Sequence, residues 1–240
     1  MNDQLVTDLA RASFQYKLNI GSKISGTISL AELGQELFAR DVATQFQQRY
    51  AVPKLRYAGS LAFQRAAHRI VGINIASWML HGEVLVCEPD ATRVHMTDGV
   101  TSALRLPSIT PISTDAHGAT QHVLEVMEPI VNSFHMATGV GVANLMGNIA
   151  ATIGGAVRNV SRKSPIRDAA AQGSELLGAH PVLKNLGWFE HLHENEISAT
   201  VFYRNSCCHW HTTGEERCDW CTHRGSSRRM DFYQQLRALS

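Results

Sequence analysis

Cysteine is nearly absent from this chain until its end. Of five cysteines, only Cys87 precedes position 207. It sits in a short β-rich run, "HGEVLVCEPD", and reads as a small buried hydrophobe. An excess of one charge is also lacking: 22 Lys and Arg stand against 21 Asp and Glu, a net charge of +1. The basic face of a nucleic-acid binder is therefore not expected, and neither is a nucleic-acid partner. Long apolar runs are missing too. The most membrane-like stretch, residues 140–157, has no formal charge but carries Asn144, Asn148, Thr152 and four glycines. It sits at the lower length limit for a span and reads better as a buried helix. The opening "MNDQLVTDLARAS" has Asp3 and Asp8 and no apolar core of signal-peptide length. The expectation is a cytoplasmic chain with at most peripheral membrane contact. No GxGxxG follows a strand, and no GxxxxGK[ST] occurs. A built-in nicotinamide, flavin or nucleotide site is not expected. Histidine, by contrast, is abundant, with 12 in the chain. These would make the protein clearly basic at mildly acidic pH.

Apolar spacing predicts helices over residues 3–17, from 29 to about 52, and over 60–80. Ser29 and Glu32 have the spacing of a capping box. Three short runs, "EVLVCE", "TRVHMT" and "ALRLP", predict an antiparallel meander, with turns at Pro89-Asp90 and Asp98-Gly99. Helix resumes from 115 to 159, interrupted at 139–141, with Pro129 at a start or a kink. Gly147, Ala151 and Gly154 would let a neighbouring backbone come close. Another helix is expected over 168–177, and "GWFEHLHENE" reads as a polar loop. "ISATVFYR" is β-branched and aromatic, so a strand is predicted from Ile197. The fold class is α+β: a mainly helical body (1–196) with a small antiparallel sheet, then a C-terminal strand and cysteine segment (197–240). The two parts are expected to form one compact unit.

The strand leads into "RNSCCHWHTTGEERCDWCTHR", residues 204–224. Four cysteines fall within 15 residues: Cys207, Cys208, Cys218 and Cys221. In a reducing compartment such clustering points to metal or redox chemistry rather than structural disulfides. Soft thiolates select zinc, copper(I) or iron–sulfur centres. A four-cysteine zinc site usually has two pairs of C-x2-4-C spacing, and the adjacent Cys207-Cys208 departs from that. For both to serve one ion the chain must turn sharply there, because successive strand residues point to opposite sides. A two-iron cluster needs two thiolates on each iron, which four cysteines supply. Ligand type alone leaves zinc and iron–sulfur open. Cys207 and His209 fit half of a Rieske pattern, but the other half fails at Cys221. His209, His211 and His223 are therefore read as lying beside the sulfurs or at the surface.

The tail motif resembles that of the FhuF-like ferric-siderophore reductases. Arg204, Ser206, Cys207 and Cys208 match the R-x-S-C-C look of that family, and Cys218 to Cys221 its C-x-x-C. Two departures stand out. The gap after Cys208 is nine residues rather than ten, and Met146 replaces the tryptophan of an expected W-G-N. The resemblance covers about 20 residues closely and the helical body loosely. It implies a [2Fe–2S] cluster on Cys207, Cys208, Cys218 and Cys221. It also implies a ferric siderophore as substrate, reduced so that iron leaves as Fe(II), and a separate electron donor such as a ferredoxin or reductase. The physical logic is simple: hard oxygen donors grip Fe(III) far more tightly than Fe(II), so one electron labilises the complex. That step needs no nucleophile, in keeping with the lack of a hydrolase motif. Arg204, Arg217, Arg224, Arg228 and Arg229 read either as cations raising the potential or docking an acidic donor, or as ordinary surface charge. Trp210 and Trp220 read either as shields or as packing. The zinc-stapled binding protein and the iron–sulfur redox sensor stand as alternatives.

Overall fold

The computed structural model describes residues 2–21, 26–164, 166–194, 197–218, 221–225 and 227–237. The body is built on α4 (Leu55–His81), whose apolar residues face every side. Around it pack α3 (Glu36–Tyr50), α5 (Ala116–Thr138) and α6 (Val142–Ser161), with α1 (Asn2–Ala12) at one flank. The stretch with membrane-like composition is α6, and it is buried in this bundle through Leu145, Ile149, Ile153 and Val157. No described helix is long and apolar enough to cross a membrane. α5 and α6 are separate helices, with Gly139 closing the first in the left-handed conformation. Pro129 is accommodated inside α5.

The capping box forms as its spacing predicts. Ser29 Oγ accepts from Glu32 N–H at 3.1 Å, and the Glu32 carboxylate accepts from Ser29 N–H at 2.7 Å. It opens only a short helix, α2 (Leu30–Leu33), before α3 begins.

The predicted antiparallel meander is corrected. β3 (Glu83–Leu85) pairs with β6 (Pro111–Ser113), not with β4 (Arg93–Thr97). The connection after β3 is held elsewhere: the carbonyls of Pro89 and Thr92 accept from the first N–H groups of α2. That anchorage draws the chain away before it can fold back. β4 and β5 (Val100–Leu106) form the expected hairpin, and β2 (Thr27–Ser29) adds to β4 antiparallel. β1 (Leu18–Ile20) joins β5 in parallel, so this sheet is mixed, with order β1-β5-β4-β2.

The expected polar loop at 187–194 is also corrected. It is a strand, β7 (Gly187–Glu194), paired antiparallel with β8 (Ile197–Arg204). Its cross-strand partners explain this: Trp188 stacks on Tyr203 and Phe189 packs on Phe202. His191 and His193 point to solvent from β7. The hairpin lies on α6 and α7 (Ala169–Gly178), and Phe202 joins the main core. α8 (Ser227–Arg237) covers its far side through Phe232 against Tyr203.

Candidate metal centre

β8 delivers the cysteine segment onto α6 and α4. The approach is close because α6 is small-faced there: a Cβ on Gly154 would overlap the Phe202 ring, and one on Gly147 would overlap Ser206 Oγ. Two asparagines then fix the loop. Asn144 Nδ2 donates to Cys207 O at 2.6 Å, while its Oδ1 accepts from Ser60 Oγ at 2.6 Å. Asn148 Nδ2 donates to Ser60 O at 3.0 Å, and Arg204 Nη2 donates to Asn148 Oδ1 at 2.9 Å. In the sequence Ser60 and Asn144 show only as polar residues in apolar helices, and Asn148 only as the last residue of the M-G-N run. Amides inside a bundle demand partners: Asn144, part-buried, finds one on the cysteine loop, and Asn148, wholly buried, finds its partners on Ser60 and on Arg204 at the end of β8.

The chain turns sharply just after the adjacent cysteines. His209 adopts a left-handed conformation (φ 69°) and starts a 3-10 turn over Trp210–Thr213. Its N–H donates to Cys207 Sγ at 3.3 Å. The two neighbouring cysteines nevertheless face different surroundings, and no close ligand group among the described residues contains both. Cys207, half-buried, lies 3.6 Å from His211 Nδ1 and 3.2 Å from His223 Nε2. These three ligand atoms lie within 4.8 Å of one another and could hold a metal ion. Cys208 is buried and shares with Cys218 a cavity of about 130 Å³ against α4, lined also by Leu61, Gln64, Arg65, His68 and Trp210. Among the described residues no carboxylate lines it. Of the larger recesses, those of about 300 Å³ between α5 and α6 and about 450 Å³ beside Trp188 and Arg228 are lined by no cysteine, and one of about 280 Å³ is lined by the single thiol of Cys87 beside Glu88 and Glu125. Donor chemistry, not volume, marks the smaller one.

Cys221 is buried and closes the C-x-x-C turn, its N–H donating to Cys218 O at 3.0 Å. Thr222 and His223, which follow it, lie on the Cys207 side: the Thr222 side chain bonds the Cys207 thiol. Arg224 staples the turn from outside, donating to the carbonyls of Cys218 and Arg217 at 3.1 and 3.0 Å and pairing with Asp231. Arg228 donates to Arg204 O at 3.0 Å, and Arg229 pairs with Glu190 at 2.6 Å. Of the five arginines singled out by sequence, these three serve mainly as staples. Arg217 is exposed, and Arg204 is wholly buried. Trp210 walls the cavity under Arg65, whose guanidinium lies 4.9 Å from its ring. Trp220 lies outside the described residues.

The electrostatics are one-sided. Burial, followed by the charges of Arg65, Arg69 and Arg204, pushes His68 down to about 3. Burial and the neighbouring His211 and Arg56 push His209 down to about 4. Both imidazoles are neutral at physiological pH. Burial pushes the Cys207 thiol up, against the His209 N–H and Arg204, which favour the thiolate. Metal-free, Cys207 is thus a protonated thiol at neutral pH, and a metal would displace that proton. A cavity lined by two thiols and the Arg65 guanidinium, with no carboxylate among the described residues, fits an anionic thiolate–metal group.

Comparison with protein-family models finds no match for this chain, and comparison with curated proteins finds none either.

Proposed function

We propose that this chain is a [2Fe–2S] oxidoreductase that delivers one electron to ferric iron held by a siderophore, releasing the iron as Fe(II). Its ligands are Cys207, Cys208, Cys218 and Cys221. The observation that carries this reading is the division of the adjacent pair. Cys208 faces the cavity it shares with Cys218, while Cys207 faces the segment that follows Cys221. A mononuclear zinc site draws four ligand atoms to about 2.3 Å from one ion, and so to within about 4 Å of each other. Among the described residues, no three of these sulfurs form such a close group. Two pairs serving two metals suit the arrangement better. The resemblance of the tail to the ferric-siderophore reductases supports the substrate assignment.

Bound there, the cluster would supply one-electron transfer between a separate donor and the Fe(III) chelate. The protein's own residues do the rest. Trp210 and α4 exclude water from the Cys208 side, which keeps the sulfurs in a low-dielectric setting. Asn144 holds the Cys207 carbonyl and so the turn. Cys207, with exposed His223 beside it, forms the open side at which a chelate would approach. His211 and His223 present ring nitrogens to Cys207 Sγ, where an N–H would stabilise a thiolate.

The close set of Cys207, His211 and His223 favours a second reading: a mononuclear site with an open coordination position, holding zinc or iron. Substitution separates the two readings. Cys208→Ser and Cys218→Ser abolish metal uptake if the four-thiolate reading holds, whereas His211→Ala retains most of it. The mononuclear reading requires the reverse. Anaerobic purification, iron and sulfide analysis, and visible absorption before and after dithionite are the measurements.

A further inference from the structure

Arg204 ends β8 with no exposed surface. One of its nitrogens, Nη2, is used: it donates to Asn148 Oδ1 at 2.9 Å and reaches Ser206 Oγ at 3.3 Å. Its Nε and Nη1 are buried and, among the described residues, have no hydrogen-bond partner. Among the described residues no carboxylate pairs with it. A guanidinium keeps its charge under all ordinary conditions. Burying it with two of its three nitrogens unanswered is costly, so the fold is incomplete around it. The other nearby arginines differ: Arg224 and Arg229 pair with carboxylates, and Arg228 bonds backbone carbonyls.

The anion that Arg204 lacks has one evident place. Arg204 stands three residues before Cys207 and is tied through Asn148 to Ser60, the residue that holds Asn144 against the Cys207 carbonyl. Its field acts on the Cys207 thiol, favouring the thiolate, and on the His68 ring that lines the Cys208–Cys218 cavity. We infer that Arg204 is the interior counter-charge of the metal centre, a positioning residue whose fixed cation stabilises the thiolate–metal group and raises its reduction potential. The inference rests on the four-thiolate reading. Such a centre carries about −2 when oxidised and about −3 when reduced. A buried cation stabilises the second state more than the first. Asn148 and Gly147 set the distance, the amide by gripping Nη2 and the glycine by letting Ser206 lie against α6.

The test is redox titration of anaerobically purified wild type, Arg204→Gln, Arg204→Lys and the exposed control Arg217→Gln, each with iron, sulfide and thermal melting measured. Arg204→Gln is expected to bind iron but to shift the equilibrium tenfold or more toward the oxidised state, about 59 mV for one electron. Arg204→Lys restores the equilibrium to within about threefold of wild type, since charge rather than shape sets it. Arg217→Gln leaves the potential unchanged. A folded, iron-loaded Arg204→Gln with wild-type potential overturns the inference. If Arg204→Gln does not fold, the lysine variant decides: folded with near-wild-type potential, it supports the counter-charge; failing to fold as well, it reduces Arg204 to packing and overturns it. If wild type holds zinc instead, the proposed function fails, and chelator competition then reads the counter-charge separately. Arg204→Gln must release zinc at least tenfold more readily, and equal retention overturns the inference.

Discussion

At the scale of single residues, the site is a contest for Cys207. Its sulfur has two imidazoles within 3.6 Å and a backbone N–H at 3.3 Å. Its three fellow cysteines are partly or wholly buried nearby. If the thiolates are the ligands, His211 and His223 only modulate them. Replacing both by alanine then leaves iron content near wild type but moves the visible spectrum, because hydrogen bonds to sulfur change the charge-transfer energies. Iron content measured beside absorption checks this; loss of all metal in the double variant would favour the histidine-ligated site. The cysteine cluster stands out in the sequence because its spacing is local, whereas the closeness of His211 and His223 to Cys207 does not. Nor do the residues that hold the cysteines. Ser60, Asn144 and Asn148 lie 147, 63 and 59 positions before Cys207, and nothing local in the sequence ties them to the tail; only folding brings them there.

At the scale of elements, α6 is the platform. Gly154 makes room for Phe202 and Gly147 for Ser206. Gly154→Val is predicted to destabilise the fold by about 1–3 kcal/mol through overpacking, read from denaturant unfolding. Gly147→Ala acts more locally. It should push Ser206 and the adjoining cysteine turn outward and lower metal retention by more than it lowers the melting temperature. Ser29→Ala, which breaks the capping box far from the site, should cost about 1 kcal/mol without changing metal content. Helices were read well because α4, α5 and α6 carry long apolar patterns and glycine or turn signals at their ends. Strands were read less well. β1 and β3 span three residues each, too short for alternation to register, and the anchorage at α2 leads the chain after β3 away from it. In β7 the charged and imidazole residues concealed a strand whose pairing aromatics, Trp188 and Phe189, decide its fate.

For the whole molecule, the burial of His68 beneath the cysteine loop, with arginines beside it, makes stability depend on pH. His68 has a folded value of about 3 against an ordinary 6.5. Between those values the unfolded chain takes up a proton that the folded one refuses. Stability from this group is therefore complete above about pH 6.5 and declines as pH falls toward 3. His209, at about 4, acts in the same direction. Thermal melts of metal-free protein from pH 8 to pH 4 should show a falling melting temperature, with a shallower fall in His68→Gln; an unchanged slope would show that His68 does not carry the effect.

The central claim is that the tail thiolates hold a two-iron centre able to carry one electron. Low-temperature EPR of anaerobically purified protein reduced with dithionite, with iron and acid-labile sulfide counted on the same sample, tests it most directly. The account predicts about two irons and two sulfides per chain and the signal of a singly reduced two-iron centre. A colourless, EPR-silent protein carrying zinc, or carrying no metal at all, would contradict it.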